Sequence, residues 1–197
     1  MGVDLIPILI DEKTLAEEIM RLGKALPPEK LDNWETQFHH ELFYEHGSNR
    51  NQYAYAKLEG YKNTKWCIAA NSIRFQLLIK AKETVSDGGD SERSADALFQ
   101  FFGAMFCCFS GNNPLNEYGF KNSTIVSPAN ARRLHLLFQQ INFDLLQPVF
   151  ERHCKSDEGM MSGYIQSFGE LVDYAKALDG LLVQASGNDK VLYIYAG

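Results

Sequence analysis

The sequence predicts one helix-rich α+β domain, residues 1–197, in which strands from the two ends of the chain form a small sheet. Two runs predict these strands, VDLIPILI (3–10) and KVLYIYAG (190–197), which are rich in strand-favouring β-branched and aromatic residues. Between the two runs, apolar residues recur mostly at helical spacing. The length fits one domain, with the polar, glycine-containing run SDGGDSERS (86–94) as the best candidate for an internal linker.

Three helices are predicted in the first half of the chain. The segment 11–26 is amphipathic, with acidic residues in its first turn, where the helix dipole favours them. A second helix is predicted from Pro28 to Gly47 and a third over 61–85, because both carry apolar residues at helical intervals. The polar, tyrosine-rich segment 48–61 between them is predicted to be a loop.

The next part of the chain combines an apolar helix with a long loop. Residues 95–111 are apolar on nearly every side, which is typical of a helix in the middle of a core. Residues 112–126 show no periodicity, so we expect a loop there. Ser127 and Pro128 predict a helix start, since serine is a good N-cap and proline fits the first helical position.

Two more helices precede the last strand. Residues 143–154 predict a short helix, in which Pro148 is tolerable only near the beginning or at a kink. Residues 163–185 form a long amphipathic pattern, and the turn sequence SGND (186–189) leads into the closing strand.

The charge pattern argues against some classes of partner. A net charge of −6 and a pI near 5.4 disfavour binding to nucleic acids or to anionic membranes. Acids outnumber bases by eleven to six over 1–60 and by eight to four over 142–197, whereas bases slightly exceed acids between them. An acidic face built from the two ends would attract a basic protein partner, although ordinary scatter of surface charge gives the same counts.

The sequence predicts a cytoplasmic protein. The start of the chain lacks the basic residues and long apolar run of a signal peptide, and no window approaches the ~18 apolar residues of a membrane span. We therefore expect the cysteines to be reduced thiols rather than a disulfide framework. They are Cys67, Cys107, Cys108 and Cys154.

The run HHELFYEHG (39–47) concentrates three histidines and two glutamates, which makes it a candidate metal site. A zinc-binding helix of the H-E-x-x-H type needs histidines four residues apart, but Tyr44 stands where the second would be. His39 and His46 lie two turns apart, about 10 Å along a helix axis, which is too far for direct co-ligation. We therefore predict no metal here and interpret the run as a solvated helix face.

Two cysteine arrangements are interpreted as structural rather than catalytic. Cys107 and Cys108 lie between phenylalanines, in an apolar setting that does not activate a thiol. His153 and Cys154 are adjacent, and neighbours along a helix point away from each other. Phosphate-binding and dinucleotide-binding glycine motifs, G-x-S-x-G and C-x-x-C are all absent, so we assign no catalytic residue and no cofactor.

Two segments offer candidate partner-binding residues. The loop 111–122 concentrates asparagines with an acid and a tyrosine, and 51–61 is rich in tyrosine, a common interface anchor. Asparagines that form turns and half-buried tyrosines remain alternatives. The candidates, with the acids of the histidine run, are Glu41, Glu45, Tyr53, Tyr55, Asn112, Asn113, Asn116, Glu117 and Tyr118.

Parts of the chain resemble a known family. The start MG followed by a short apolar strand, the run SPANARRLHLLFQQINFDLLQPVFE, the long amphipathic helix and the closing KVLYIYAG are similar to the YfbM-like family of uncharacterised bacterial proteins. The resemblance covers roughly residues 1–15 and 125–197 and consists of helix starts and apolar positions. It implies a compact cytoplasmic bacterial α+β domain, and the family offers no established catalytic residues to carry over to this chain.

Three functional hypotheses follow from the sequence. The first is a non-catalytic binding protein, of the immunity type that neutralises a bacterial toxin by occluding its active site, with a basic toxin domain as the candidate partner. The second is an enzyme whose site is built from residues 39–46 and the loop 111–122, since catalytic partners are neighbours in space rather than in order. The third is a structural subunit of a larger assembly, which an extended apolar patch would favour.

Overall fold

The computed structural model describes residues 5–25, 54–55, 64–84, 87–105, 123–154, 165, 167–188 and 190–196. These residues form a helix-rich α+β structure, as the sequence predicts. The strands are β1 (Leu5–Asp11), β2 (Ala54–Tyr55), β3 (Ser123–Val126) and β4 (Lys190–Ala196). The helices are α1 (Glu12–Ala25), α2 (Thr64–Lys82), α3 (Asp90–Met105), α4 (Pro128–Phe138), α5 (Phe143–Val149) and α6 (Phe168–Gly187).

The two ends of the chain pair in one sheet, which confirms the central prediction. The strand order is β2-β1-β4-β3, and each neighbouring pair is antiparallel. Strands β1 and β4 pair along their whole lengths, from Leu5 opposite Ala196 to Asp11 opposite Lys190. The sheet therefore joins the first and last described segments of the chain directly.

Two segments that were predicted to be loops form strands instead. Ser123–Val126 pairs with β4, and Ala54–Tyr55 pairs with β1, although both segments were predicted to lie in loops. Segments of four and two residues are too short to show the alternation that marks a strand, so their pairing depends on neighbours that are distant in sequence. The helix predicted over 28–47 lies outside the described residues.

The segment that connects α2 to α3 is shorter than the predicted linker, 86–94. Asp87 begins a tight turn in which Gly88 and Gly89 have positive φ angles of 70° and 84°, a conformation that glycine adopts without strain. The Asp87 carboxylate accepts hydrogen bonds from the backbone N–H groups of Gly89 (3.1 Å) and Ser91 (3.0 Å). Helix α3 then begins at residue 90, five residues before the predicted start, so half of 86–94 is helical.

Helices α2 and α3, on either side of this turn, pack against each other. Arg74 donates from Nη1 to the carbonyl oxygen of Phe99 (3.2 Å), and its guanidinium carbon lies 4.8 Å from the centre of the Phe99 ring. The main buried cluster includes Ile73 and Leu77 before the turn and Phe101 after it. The turn thus connects two parts of one core.

The predicted helix start at Ser127 is confirmed, and the proline at 148 has a visible effect. The Ser127 hydroxyl accepts from the backbone N–H of Asn130 (3.3 Å), with Pro128 in the first turn. Pro148 lies inside α5, and the α-helix ends one residue later and continues as a π-helical turn, Phe150–Cys154. Because proline lacks the N–H that would bond to the preceding turn, a change of helical pitch here is expected.

The sheet is buried on both faces. Leu9 and Val126 lie opposite Leu192 on neighbouring strands, and all three belong to the main cluster beneath the helices. Successive residues of a strand point to opposite faces, so Ile10 and Val191 lie on the other face. They are buried as well, as is Leu15 of α1, the helix that directly follows β1.

Aromatic side chains form a continuous chain of contacts through the main cluster. Phe102 stacks on Tyr174 of α6 with ring centres 5.8 Å apart, which joins α3 to α6. Further neighbouring rings, at centre distances of 5.3 to 6.4 Å, extend the chain through α4 and α5 to the start of α6. In order, the seven rings are Tyr174, Phe102, Phe101, Phe138, Phe143, Phe168 and Phe150.

We expect Phe102→Ala to lower the free energy of unfolding by about 3–5 kcal/mol, because it removes a fully buried ring and leaves a cavity. Phe75→Ala is the matched control, since that ring is 51% exposed, and its effect should stay below about 1 kcal/mol. Urea denaturation followed by circular dichroism measures both. Equal losses in the two variants would contradict the assignment of the core.

Candidate functional site

A cleft of about 600 Å³ lies where the end of α4, the start of α5 and the first turns of α6 meet. We refer to it as the α4–α6 cleft. Its apolar lining comes from the 141–143 junction and from α6: Ile141, Phe143, Phe168 and Val172. The rings of Phe143 and Phe168 are 6.4 Å apart and belong to the aromatic chain of the core. The cleft therefore exposes one part of the aromatic cluster.

The rest of the lining is polar. Asp144 of α5 and Asp173 of α6 are exposed, as is Lys176, the one basic residue in the lining. None of these three forms an ion pair with another residue that the structure describes. The remaining polar side chains are amides: Gln139, Gln140, Asn142 and Gln147. The formal charge of the lining is −1.

Local hydrogen bonds position the walls of the cleft. Asn142 caps α5, since its side-chain oxygen accepts from the backbone N–H of Asp144 (3.1 Å). Ser167 caps α6 in the same way, accepting from the N–H of Glu170 (3.3 Å). The backbone N–H of Asn142 donates to the hydroxyl of Ser94 (3.1 Å), a residue of α3 that is only 3% exposed. Ser94 thus ties the α4–α5 junction to the core.

A histidine links α4 to α6 beside the cleft. His135 Nδ1 lies 2.8 Å from Oδ1 of Asp179, and its Nε2 lies 2.9 Å from Nε2 of Gln139. A carboxylate only accepts hydrogen bonds and an amide nitrogen only donates, so Nδ1 carries the proton and Nε2 accepts from Gln139. The neutral Nδ1–H tautomer of His135 satisfies both contacts, and it leaves Oε1 of Gln139 available as an acceptor at the cleft.

The acidic partner of His135 is largely buried. Asp179 is 13% exposed, and this removal from water raises the pKa of its carboxyl group above the ordinary 3.8. The hydrogen bond from His135 and the positive charge that this ring can carry act in the opposite direction, but more weakly. The pair therefore helps to hold α4 against α6, and the Asp179 carboxyl group is not freely accessible to solvent.

The two histidines that the structure describes have different surroundings. His135 uses both ring nitrogens in contacts with protein groups, and His153 is exposed on the π-helical turn. Within the part of the chain that the structure describes, no group of three or more His, Cys, Asp or Glu residues is placed to hold a metal ion. Within the described residues, the α4–α6 cleft combines an apolar base with carboxylates and amides at its rim.

The structure places few of the predicted partner-binding residues. Tyr55 lies in β2, where its backbone pairs with Ile8. The other eight candidates lie outside the described residues, as do the histidine run 39–47 and the loop 111–122: Glu41, Glu45, Tyr53, Asn112, Asn113, Asn116, Glu117 and Tyr118. Cys107 and Cys108 also lie outside the described residues, whereas Cys154 is buried and its neighbour His153 is exposed.

The residues of the α4–α6 cleft carry no signal of their own in the sequence, because the periodic pattern of these helices comes from their apolar residues. The polar residues Gln139 and Asn142 lie just after the end of α4, and Asp173 and Lys176 lie between apolar residues of the amphipathic pattern of α6. His135 and Asp179 are 44 residues apart in the chain. No spacing rule connects residues on two helices before their packing is known.

Comparison with known proteins gives no relative for this chain: no family, curated protein or solved structure matches it. No helix within the described ranges is both long enough and apolar enough to span a membrane.

We expect Ser94→Ala to lower the free energy of unfolding by about 1–3 kcal/mol, because the N–H of Asn142 loses its acceptor in a partly buried position. Ser186→Ala is the control, since it removes a hydroxyl from an exposed hydrogen bond and should change stability by about 0.5 kcal/mol or less. Chemical denaturation measures both values. If the two variants lose the same free energy, Ser94 does not tie the junction to the core.

We expect carbon-detected NMR to show Asp179 titrating above pH 3.8, because burial raises its pKa. His135→Leu should raise this pKa further, since the hydrogen bond and charge that oppose the shift are removed. A folded-state pKa above the unfolded one means that the native state binds more protons. The contribution of Asp179 to stability is therefore complete below pH 3.8 and is lost as pH rises through the raised pKa. Titration at or below 3.8 in the wild type would contradict the dominant role of burial.

Proposed function

We propose that this protein is a non-catalytic binding protein and that the α4–α6 cleft is where its protein partner docks. The observation that carries the proposal is the composition of the cleft. Aromatic rings that are continuous with the core lie beneath exposed carboxylates and amides, and Asp144 and Asp173 have no ionic partner among the described residues. Rigid apolar bases with polar rims are typical of protein-binding surfaces.

The narrower form of the proposal is an immunity-type protein of the bacterial cytoplasm. Such a protein would neutralise a toxin by covering its active site, and its partner would be a basic toxin domain. The net charge of −6 supports this choice, since opposite charges speed association between proteins. We also propose that the chain belongs to the YfbM-like family, because its terminal segments resemble that family.

Glycine positions on α6 allow a sharp test of the docking site. Gly169 lines the cleft, and a Cβ atom added there would meet only the Ser167 hydroxyl, at an ordinary 3.6 Å. The position therefore tolerates a Cβ atom, and a larger side chain built there would occupy space in the lining of the cleft. Gly187, at the other end of α6, has nothing within 4 Å of its Cβ position and lies roughly 27 Å farther along the axis.

We expect Gly169→Tyr to weaken binding of the natural partner at least about tenfold, and Gly187→Tyr to leave it unchanged, because only the first ring occupies the cleft. The measurement is native mass spectrometry of tagged wild type and both variants, purified at low salt from the organism that encodes the protein. A partner retained by Gly169→Tyr, or a wild type that carries no partner protein, would contradict the proposal.

Identification of that partner by peptide sequencing tests the narrower form. A partner that is an enzyme inhibited by the wild type and not by Gly169→Tyr is the expected result for an immunity-type protein. A partner whose activity is unaffected by the wild type would contradict the immunity role and leave the docking site established.

A further inference from the structure

We infer that the group which enters the α4–α6 cleft is an arginine side chain of the partner protein. This inference rests on the proposed function, because it names the chemistry of the group that the same cleft would bind. It is carried by three features of the lining: its aromatic base, the placement of its charges and the hydrogen bonding of Gln139.

The base of the cleft fits the apolar parts of an arginine side chain. Phe143 and Phe168 contribute aromatic rings, and Ile141 and Val172 contribute aliphatic surface beside them. A guanidinium group is planar and weakly hydrated, so it stacks on aromatic faces while its stem covers aliphatic surface. The same protein already contains such a contact, since the Arg74 guanidinium lies 4.8 Å from the centre of the Phe99 ring.

The charged residues of the lining favour a cation. Asp144 lies in the first turn of α5 and Asp173 in the second turn of α6, so the two carboxylates belong to different walls of the cleft. Lys176 is the single opposing charge in the lining. The α5 wall therefore carries an acid with no base beside it in the lining, and a bound cation would gain from both carboxylates while being repelled by one lysine.

The contact between Gln139 and His135 adds an acceptor. With the Gln139 amide nitrogen donating to Nε2 of His135, its Oε1 atom has no hydrogen-bond partner among the described residues. A guanidinium group offers five N–H donors and no acceptor, so it complements carboxylate and amide oxygens at several points. An anionic group would instead face two carboxylates and the amide oxygen.

Arginine fits this set of groups better than lysine does. An ammonium group is a compact, strongly hydrated point charge that does not stack on rings through a planar face. The cleft combines two aromatic rings with oxygens on two walls, which matches a planar fork of donors. Lysine and neutral side chains are therefore the alternatives that an experiment has to separate from arginine.

The test uses the intact protein and a matched pair of small probes. N-acetyl-L-arginine methylamide and N-acetyl-L-citrulline methylamide have nearly the same shape, but citrulline replaces the guanidinium by a neutral urea group. Each is titrated into isotopically labelled protein while the amide signals of Gly169, Asp173 and Lys176 are followed by NMR. We expect saturable shifts with the arginine probe and roughly three- to tenfold weaker binding of the citrulline probe. The lysine analogue should bind more weakly than the arginine probe.

Three variants connect the selectivity to the named residues. Asp144→Asn combined with Asp173→Asn should weaken arginine binding roughly three- to tenfold, whereas Lys176→Gln should strengthen it by roughly two- to threefold. Glu12→Gln removes one exposed carboxylate of α1, outside the cleft, and should leave binding unchanged. All four substitutions are at exposed positions, and dispersed NMR spectra show directly whether each variant is folded.

The outcomes separate this inference from the proposed function. Equal binding of the arginine and citrulline probes, tighter binding of the lysine analogue, or no effect of the paired aspartate changes would overturn the inference. If the inference is overturned in this way but Gly169→Tyr weakens partner binding as expected, the proposed docking site stands. Conversely, selective arginine binding in the cleft together with a partner retained by Gly169→Tyr would support the chemistry of the cleft and overturn the proposed docking role.

Discussion

Contact between aromatic rings determines how the helices of this protein are placed. Phe101 and Phe102 are fully buried on α3, and from them the rings continue to α6 through Tyr174 and to α4 through Phe138. Large rings make many close contacts, so a chain of them holds the axes of several helices at set distances. Two of its rings, Phe143 and Phe168, line the α4–α6 cleft, and the chain ends one ring farther on at Phe150. The apolar base of the cleft is therefore as rigid as the core to which it belongs.

The sheet restrains α6 at its C-terminal end. Helix α6 ends at Gly187, and β4 starts three residues later between β1 and β3. The C-terminal end of α6 is thus held by strand pairing, whereas its N-terminal end is held by Phe168, the Ser167 cap and the packing on α4. A helix restrained at both ends presents the side chains of its first turns in a defined arrangement, which reduces the entropy lost on binding.

The parts of the fold that could be predicted from the sequence are those encoded by local signals. Apolar spacing predicts α1 and α6, the Ser127–Pro128 pair predicts the start of α4, and the two apolar terminal runs predict β1 and β4. Strand β3 was missed because its four residues acquire their partner only when β4 is in place. The first turn of α3 was missed because its polar composition resembles a linker. The cleft could not be predicted, since it depends on the relative placement of α4 and α6.

Buried and exposed carboxylates have different surroundings at the contact between α4 and α6. Asp179 is removed from water, and His135 satisfies its carboxylate at 2.8 Å, so this acid serves the packing of the two helices. Asp144 and Asp173 remain exposed at the cleft and have no ionic partner within the described part of the chain. An exposed carboxylate adds little to folding stability, whereas desolvation by a bound cation strengthens its attraction. The rim acids therefore contribute little to the stability of the fold and remain exposed in the lining of the cleft.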